Sequence, residues 1–441
     1  MARADDDIFA DDFLETPYWW RAAPPRELPA VDLPRQADVA IIGSGFTGLN
    51  AAIEIARAGR SVVVIDKDDA GAGASSRNAG FVGRTLKHSF GKLIKSRGLD
   101  FAKRVYGEMQ MAFNSVGERV EKEQIAAHFR MSGRLILLRN EAERRALETE
   151  LGLRAEHLGH RHEMLSADRI HGEIGTRGYV AAALIEDLGS IHPGLYVQGL
   201  VRVALAAGVT IVPRTEVKSI AEEEGEVRVE TIAGTIRAGQ ALVATNGYTT
   251  FATPYEARRT IPFDAYMIAT ETLPQATLDR LLPKSRTYLE DVHNIDFLRQ
   301  APDQPRILMG GRTGTQNVDL RTMARNLRGD LARILPDLAN VKLSNVWTGR
   351  CAGTFDLFPH VGRHGRIHYA SGYCFAGLPM GTYLGQKAAK AILGQETDAQ
   401  TVFRELPFRS VPLIGGQNWF VPWVIGYWDW KEGKSQDHKR A

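Results

Sequence analysis

Residues 38–66 read DVAIIGSGFTGLNAAIEIARAGRSVVVID, and this stretch decides the fold. DVAIIG is an unbroken apolar run ending in glycine, the pattern of a strand buried on both faces. SGFTGLNAAIEIARAG then spaces Leu49, Ile53 and Ala56 along one helical face and stops at Gly59. SVVVID is a second buried strand, so about thirty residues make one right-handed βαβ unit. Between the first strand and the helix stand Gly43, Gly45, Phe46, Thr47 and Gly48. Glycine at the first position allows a tight turn, at the second it admits a diphosphate to the backbone, and at the third it lets helix and strand pack closely. The helix N-terminus offers free N–H groups and partial positive charge to that diphosphate. Asp66 ends the second strand, placed to accept from a ribose hydroxyl, and Lys67 follows with no arginine to favour a 2′-phosphate.

FAD and NAD share this signature. The run from Gly71 to Gly80, GAGASSRNAG, favours FAD. Its small residues let the chain pass close beneath an extended ligand, and Ser75, Arg77 and Asn78 supply donors. A dinucleotide ending in nicotinamide usually has no second cradle of this kind.

Further out, residues 1–36 are a proline-rich lead expected to be extended. Leu86 to Gly175 reads as mostly helical and charged, broken by a strand at Arg134–Leu138. A helix is expected from Pro193, a hairpin turning at Ala233–Gly234, a buried strand from Ala241, and strands of a second sheet in YMIATETL and RILMGGR. The 441 residues carry 55 basic and 52 acidic side chains, a net charge of +3 that gives no reason to expect nucleic acid. Two cysteines, Cys351 and Cys374, make neither a disulfide framework nor a Cys-rich zinc site. His157, His160 and His162 read as a solvated loop, and no metal is expected. The acidic start, MARADDDIFADDF, is no export signal, so the expected location is cytoplasmic. The tryptophan-rich tail, VPLIGGQNWFVPWVIGYWDW, holds two prolines and a glycine pair, and no membrane association is expected of it.

The chain resembles the D-amino-acid oxidase superfamily of FAD-dependent amine and amino-acid oxidoreductases. The likeness is carried by ADVAIIGSGFTGLNAAIEIARAG, GAGASSRNAGFVG, SIHPGLYVQGLVRVALAAGV, ALVATNGY, WTGRCAGTFDLFPHVGR and YASGYCFAG. The gamma-glutamylputrescine oxidoreductase subgroup is the most similar in appearance, down to the tail. The resemblance implies that Gly43, Gly45 and Gly48 hold the diphosphate and Asp66 the adenosine ribose. It implies that Ala74, Ser75, Arg77, Asn78 and Gly80 line the ribityl chain and flavin ring, and that Val217 touches adenine. Thr245 to Gly247 would close over the diphosphate, while Gly372, Tyr373, Gly377 and Leu378 would run beside the flavin. Three departures stand out. Cys351 occupies the place where glycine oxidase has an arginine for the substrate carboxylate. Leu308 falls where sarcosine oxidase has a lysine that assists oxygen. No histidine for covalent attachment stands beside Arg77, which favours noncovalent FAD.

The resulting expectation is an α/β fold with a Rossmann-like FAD domain of discontinuous chain and a second, mostly antiparallel substrate domain. The FAD domain takes residues 37–90, 180–250 and 345–400, the substrate domain 91–179 and 251–344, and 401–441 is a tail. Hydride transfer from an amine α-carbon to flavin N5 would leave an imine that water hydrolyses, with O2 or a carrier as electron acceptor. N-substituted glycines such as sarcosine or iminodiacetate are the first substrates expected, and gamma-glutamylputrescine-like amines come next. Arg77, Tyr266, His293, Asp296, Arg312, Cys351 and Phe375 are the candidate pocket residues, with Arg77 and Arg312 nominated to grip a substrate anion. A flavin-dependent RNA-modifying enzyme and a non-catalytic dinucleotide-binding subunit are the alternatives, and a homo-oligomer is left open.

Overall fold

Strand Gln36–Ile42, helix Phe46–Arg57 and strand Val62–Ile65 follow one another as the spacing predicts. The structure is a computed structural model that describes residues 8–290, 295–314, 318–410, 420–421, 423–424 and 426–427. His293 and most of the tryptophan-rich tail lie outside the described residues.

Strand Gln36–Ile42 is central to its sheet. It runs parallel to Val62–Ile65 on one side and to Gly234–Val243 on the other. Thr210–Val212 extends the sheet beyond Val62–Ile65, and Ile367–Ser371 joins Gly234–Val243, both in parallel. Val217–Glu223 and Glu226–Thr231 continue the edge as an antiparallel meander. Helix Phe46–Arg57 can lie directly on this sheet because of Gly48. A Cβ there would stand 1.9 Å from the Gly43 carbonyl oxygen, and Gly43 itself has φ +105°. The first is a close approach that no side chain allows, the second a turn that side chains resist.

The second sheet has nine strands. Its long strand Ile261–Thr270, third from one edge, is antiparallel to Ile307–Gly311 on one side and to Leu343–Gly353 on the other. All its pairings are antiparallel except Phe9–Leu14 with Leu343–Gly353 and Arg134–Leu138 with Thr287–Glu290.

Sheet membership crosses the boundaries expected from the sequence. Ala181–Ile185 and Leu343–Gly353 read as part of the FAD domain, yet both hydrogen-bond into the nine-stranded sheet. The lead is also more than an extended arm. Phe9–Leu14 is an edge strand, and a short 3₁₀ turn at Tyr18–Arg21 buries Tyr18 and Trp19 completely. Trp19 donates its indole N–H to the Asn78 carbonyl at 2.8 Å, while Arg21 Nε reaches Asn345 Oδ1 at 2.8 Å. Proline content predicted the absence of a long helix but not these distant partners. Among the described residues no helix is long and apolar enough to cross a membrane.

Gly48→Ala is expected to lower the melting temperature even though alanine gains up to ~1 kcal/mol of helix propensity. Overpacking should cost about 1–3 kcal/mol, because the clash is with backbone that cannot rotate away. An unchanged melt would mean that the helix can lift off the sheet at little cost.

Candidate active site

A cleft draws its lining from both sheets. From the parallel sheet come Ile42, Gly43, Gly45, Phe46, Thr47, Asp66, Lys67 and the segment Thr215 to Val217. Ala74, Ser75, Arg77, Asn78, Thr245 and Asn246 add a second layer, and Cys351 and Tyr373 to Pro379 a third. The nine-stranded sheet contributes Arg134, Ala265, Met267, Leu289 and Phe297, with Phe81 beside them.

Helix Phe46–Arg57 opens into this cleft with Gly45 as its N-cap and no capping side chain of its own. The Phe46 N–H donates to Ser75 Oγ at 2.9 Å, which ties the helix start to the 71–80 cradle. Asp66 Oδ2 accepts from the Ser44 N–H at 2.7 Å and the Ser44 hydroxyl at 2.6 Å, and Oδ1 accepts from the Asp68 N–H at 3.0 Å. Burial raises the Asp66 pKa above its ordinary value, and these three bonds oppose the rise. The carboxylate is therefore aimed before any ribose arrives.

The cradle is locked by its own side chains. Asn78 donates to the carbonyls of Ala74 and Ser75 and accepts from the Gly80 N–H. Arg77 donates Nε to the Ala72 carbonyl at 2.8 Å and Nη1 to the Thr348 carbonyl at 3.1 Å, and lies over the Trp20 ring at 4.6 Å. Trp347 Nε1 donates to the Arg77 carbonyl at 2.9 Å. Arg77 thus lines the cleft while bracing backbone, which leaves it poorly placed to turn toward a substrate anion.

Helix Gly377–Ile392 also starts at the cleft without a capping side chain. The turn before it holds Cys374 at φ +46° and Phe375 at φ +77°, a conformation that side chains resist. Tyr373 bridges the two helix starts, its hydroxyl 2.7 Å from Thr47 Oγ1 and bonded to the Ala370 carbonyl. Phe375 remains 40% exposed and packs on Phe263. Cys351 and Cys374 both face the cleft, and burial pushes their thiols up to about 12 and about 11.

Several residues expected at the cofactor or substrate do not line the cleft. Gly48, Gly80, Gly247 and Gly372 stand behind its wall. There a Cβ would meet the Gly43, Ile191 or Cys351 carbonyl oxygen, or Thr354 Cγ2, at 2.5 Å or less. Their contribution is close packing. Tyr266 is buried in the nine-stranded sheet, away from the lining. Asp296 accepts from Arg333 at 2.9 Å, and Arg312 makes a two-pronged pair with Asp330 at 2.6 and 2.9 Å. Neither Asp296 nor Arg312 reaches the cleft, because each charge is already matched inside its own sheet and helix layer. Arg350, next to Cys351, does not line the cleft. Strand alternation turns it to the other face, where it pairs with Asp264 at 2.9 Å. Sequence reasoning missed the roof (Phe81, Met267, Leu289 and Phe297) and Arg134, whose one local signal is an arginine opening the apolar run RLILL. Among the described residues no group of three His, Cys, Asp or Glu side chains could hold a metal ion.

Two helix starts without a capping side chain of their own, a carboxylate at a strand end and a cradle of small residues locked by Asn78 and Arg77 suit an extended dinucleotide, and the donor set fits FAD. The fold and cleft are those of a dinucleotide-dependent oxidoreductase. Residues 38–391 match the family model described as DAO, FAD dependent oxidoreductase, and the chain belongs to that family. It is 28% identical over 395 residues to the protein named "Probable oxidoreductase OrdL" of Haemophilus influenzae, covering 87% of this chain and 89% of that one. It is 28% identical over 389 residues to gamma-glutamylputrescine oxidoreductase of Escherichia coli, covering 88% and 90%. Among solved structures, glycine oxidase from Geobacillus kaustophilus superposes with a TM-score of 0.72 at 20% identity, covering 87% of this chain and all of that one. The protein is a FAD-dependent oxidoreductase.

Two outcomes are expected from this geometry. Arg312→Lys should lower the melting temperature, because lysine cannot reproduce a two-pronged pair, and should leave substrate KM unchanged. A raised KM with an unchanged melt would restore Arg312 to the substrate. For Asp66, ribose hydroxyls donate to the ionised carboxylate, so FAD affinity should rise with pH through the Asp66 titration and fall below it. Apoprotein stability should move the other way. A raised folded pKa favours the protonated form, a contribution present at low pH and lost as pH rises. Asp66→Asn should flatten both profiles, and Asp66→Ala should weaken FAD by about 1.5–3 kcal/mol, the worth of a charge-assisted bond. FAD titrations across the acid range check this.

Proposed function

We propose that the protein binds FAD noncovalently and oxidises the C–N bond of a secondary amine that carries a carboxylate. An N-substituted glycine such as sarcosine or iminodiacetate is the first choice. A gamma-glutamylputrescine-like amine is the second, favoured by the 28% identity to the Escherichia coli enzyme of that name.

The observation that carries this reading is the character of the roof. Phe81, Met267, Leu289, Ile295 and Phe297 make it apolar, and Arg134 is its one charged member among the described lining residues. Among the described residues no histidine lines the cleft there, and the described lining acids Asp66, Asp68 and Glu216 belong to the strand ends of the other sheet. FAD, when bound, supplies the hydride acceptor at N5. The chain's task is then to hold the amine, strip its water and leave its lone pair free. Desolvation by an apolar wall disfavours the ammonium form, so the roof lowers the pKa of the amine it covers. A neutral amine can give up its α-hydride without a protein base, and the resulting imine is hydrolysed by water. The raised thiol pKa values keep Cys351 and Cys374 protonated and poor at attacking a flavin, which supports noncovalent attachment.

Purified protein should be yellow and should release its flavin on acid precipitation. Under anaerobic conditions sarcosine, iminodiacetate or gamma-glutamylputrescine should bleach it, and bleaching by none of them contradicts the reading. The bleaching rate should climb with pH as the bound amine loses its proton. A rate that falls away below neutral pH with the pKa of a histidine, whatever the amine, would reveal a protein base instead.

A further inference from the structure

We propose that Arg134 is the anion-binding residue of this cleft and holds the carboxylate of the amine substrate. The inference rests on the amine-oxidising reading above and deepens it.

Arg134 opens strand Arg134–Leu138 and is 4% exposed, yet it lines the cleft. Its hydrogen-bond partners among the described residues are two hydroxyls: Nε donates to Thr287 Oγ1 at 3.3 Å and Nη1 to Thr85 Oγ1 at 3.2 Å, while the guanidinium lies 5.1 Å from the centre of the Phe81 ring. A guanidinium has five N–H groups, so three are left without a partner among the described residues. No described carboxylate pairs with it. The like charge that acts on it, Arg84, is itself matched by Asp187. Burial without a counter-charge pulls the Arg134 pKa down to about 10, so it stays charged at neutral pH.

The other fully buried arginine of this region shows what a structural role looks like. Arg299 gives Nη1 to the carbonyls of Ala79, Gly80 and Ile191, and it does not line the cleft. Among the described residues Arg134 binds no carbonyl. Its seat is Gly83, where a Cβ would lie 2.9 Å from Nη1 and 3.0 Å from Nη2. The missing side chain at Gly83 leaves room for the flat guanidinium. A buried cation without an acid is costly unless an anion arrives, and a planar fork with spare N–H groups suits a carboxylate in two-pronged contact. The apolar roof around it strengthens that contact by excluding water.

The test is a calorimetric titration of the FAD-loaded protein with acetate, and with acetamide as its neutral counterpart. Wild type should bind acetate and discriminate against acetamide. Arg134→Met should lose acetate affinity by about ten- to a hundredfold, the range for a charge-assisted contact, at unchanged FAD content. Arg134→Lys, the safer variant for folding, should recover part of the affinity through its charge alone. Equal acetate affinity in wild type and Arg134→Lys together with Arg134→Met, or no acetate binding by wild type, overturns the proposal. Acetate binding needs no turnover. If amines fail to bleach the flavin, the substrate reading falls while the anion site is still judged by acetate.

Discussion

The Ser44 hydroxyl joins the three pieces of chain on which the cleft depends. It donates to Asp66 Oδ2 at 2.6 Å and accepts from the Gly71 N–H at 3.1 Å. One small side chain thereby ties the turn at the helix start, the acid at the end of the second strand and the beginning of the cradle. Their mutual bonds set the ribose acceptor and the diphosphate donors in place before the ligand binds. The rest follows from that anchorage. Ser75 caps the Phe46 N–H from the cradle side, Arg77 and Trp347 fasten the cradle to Leu343–Gly353, and Trp19 fastens it to the lead.

The nine-stranded sheet has a different task. Its described residues add no acid or histidine to the cleft lining and cover it with apolar surface and one guanidinium. In such surroundings a single charge outweighs many contacts in choosing a ligand, since an uncharged amine gains nothing from it and an anion gains a great deal.

What the sequence revealed depended on how local the cause was. The βαβ unit was legible because its determinants lie within about thirty residues: apolar runs, glycines at fixed offsets, and an acid after the second run. Helix Pro193–Ala206, and a hairpin between Glu226–Thr231 and Gly234–Val243, were legible for the same reason. The lead's edge strand was hidden, since Phe9–Leu14 pairs with a strand more than 300 residues away. The arginines show the limit most clearly. Arg312 and Arg134 look alike on the page, each at the margin of a strand. Only the packed structure shows that Asp330 neutralises the first and that the second has no described acid beside it. Ion pairing is a tertiary property, and periodicity carries no trace of it.

The most direct test is a crystal structure of the FAD-loaded protein with iminodiacetate, grown without oxygen. The FAD diphosphate is expected against the backbone of Gly45, Phe46 and Thr47, its adenosine ribose on Asp66, and a substrate carboxylate on Arg134 beneath Phe81 and Phe297. A dinucleotide seated away from that helix start, or a carboxylate held by another cation with Arg134 bonded only to Thr85 and Thr287, would contradict the assignment.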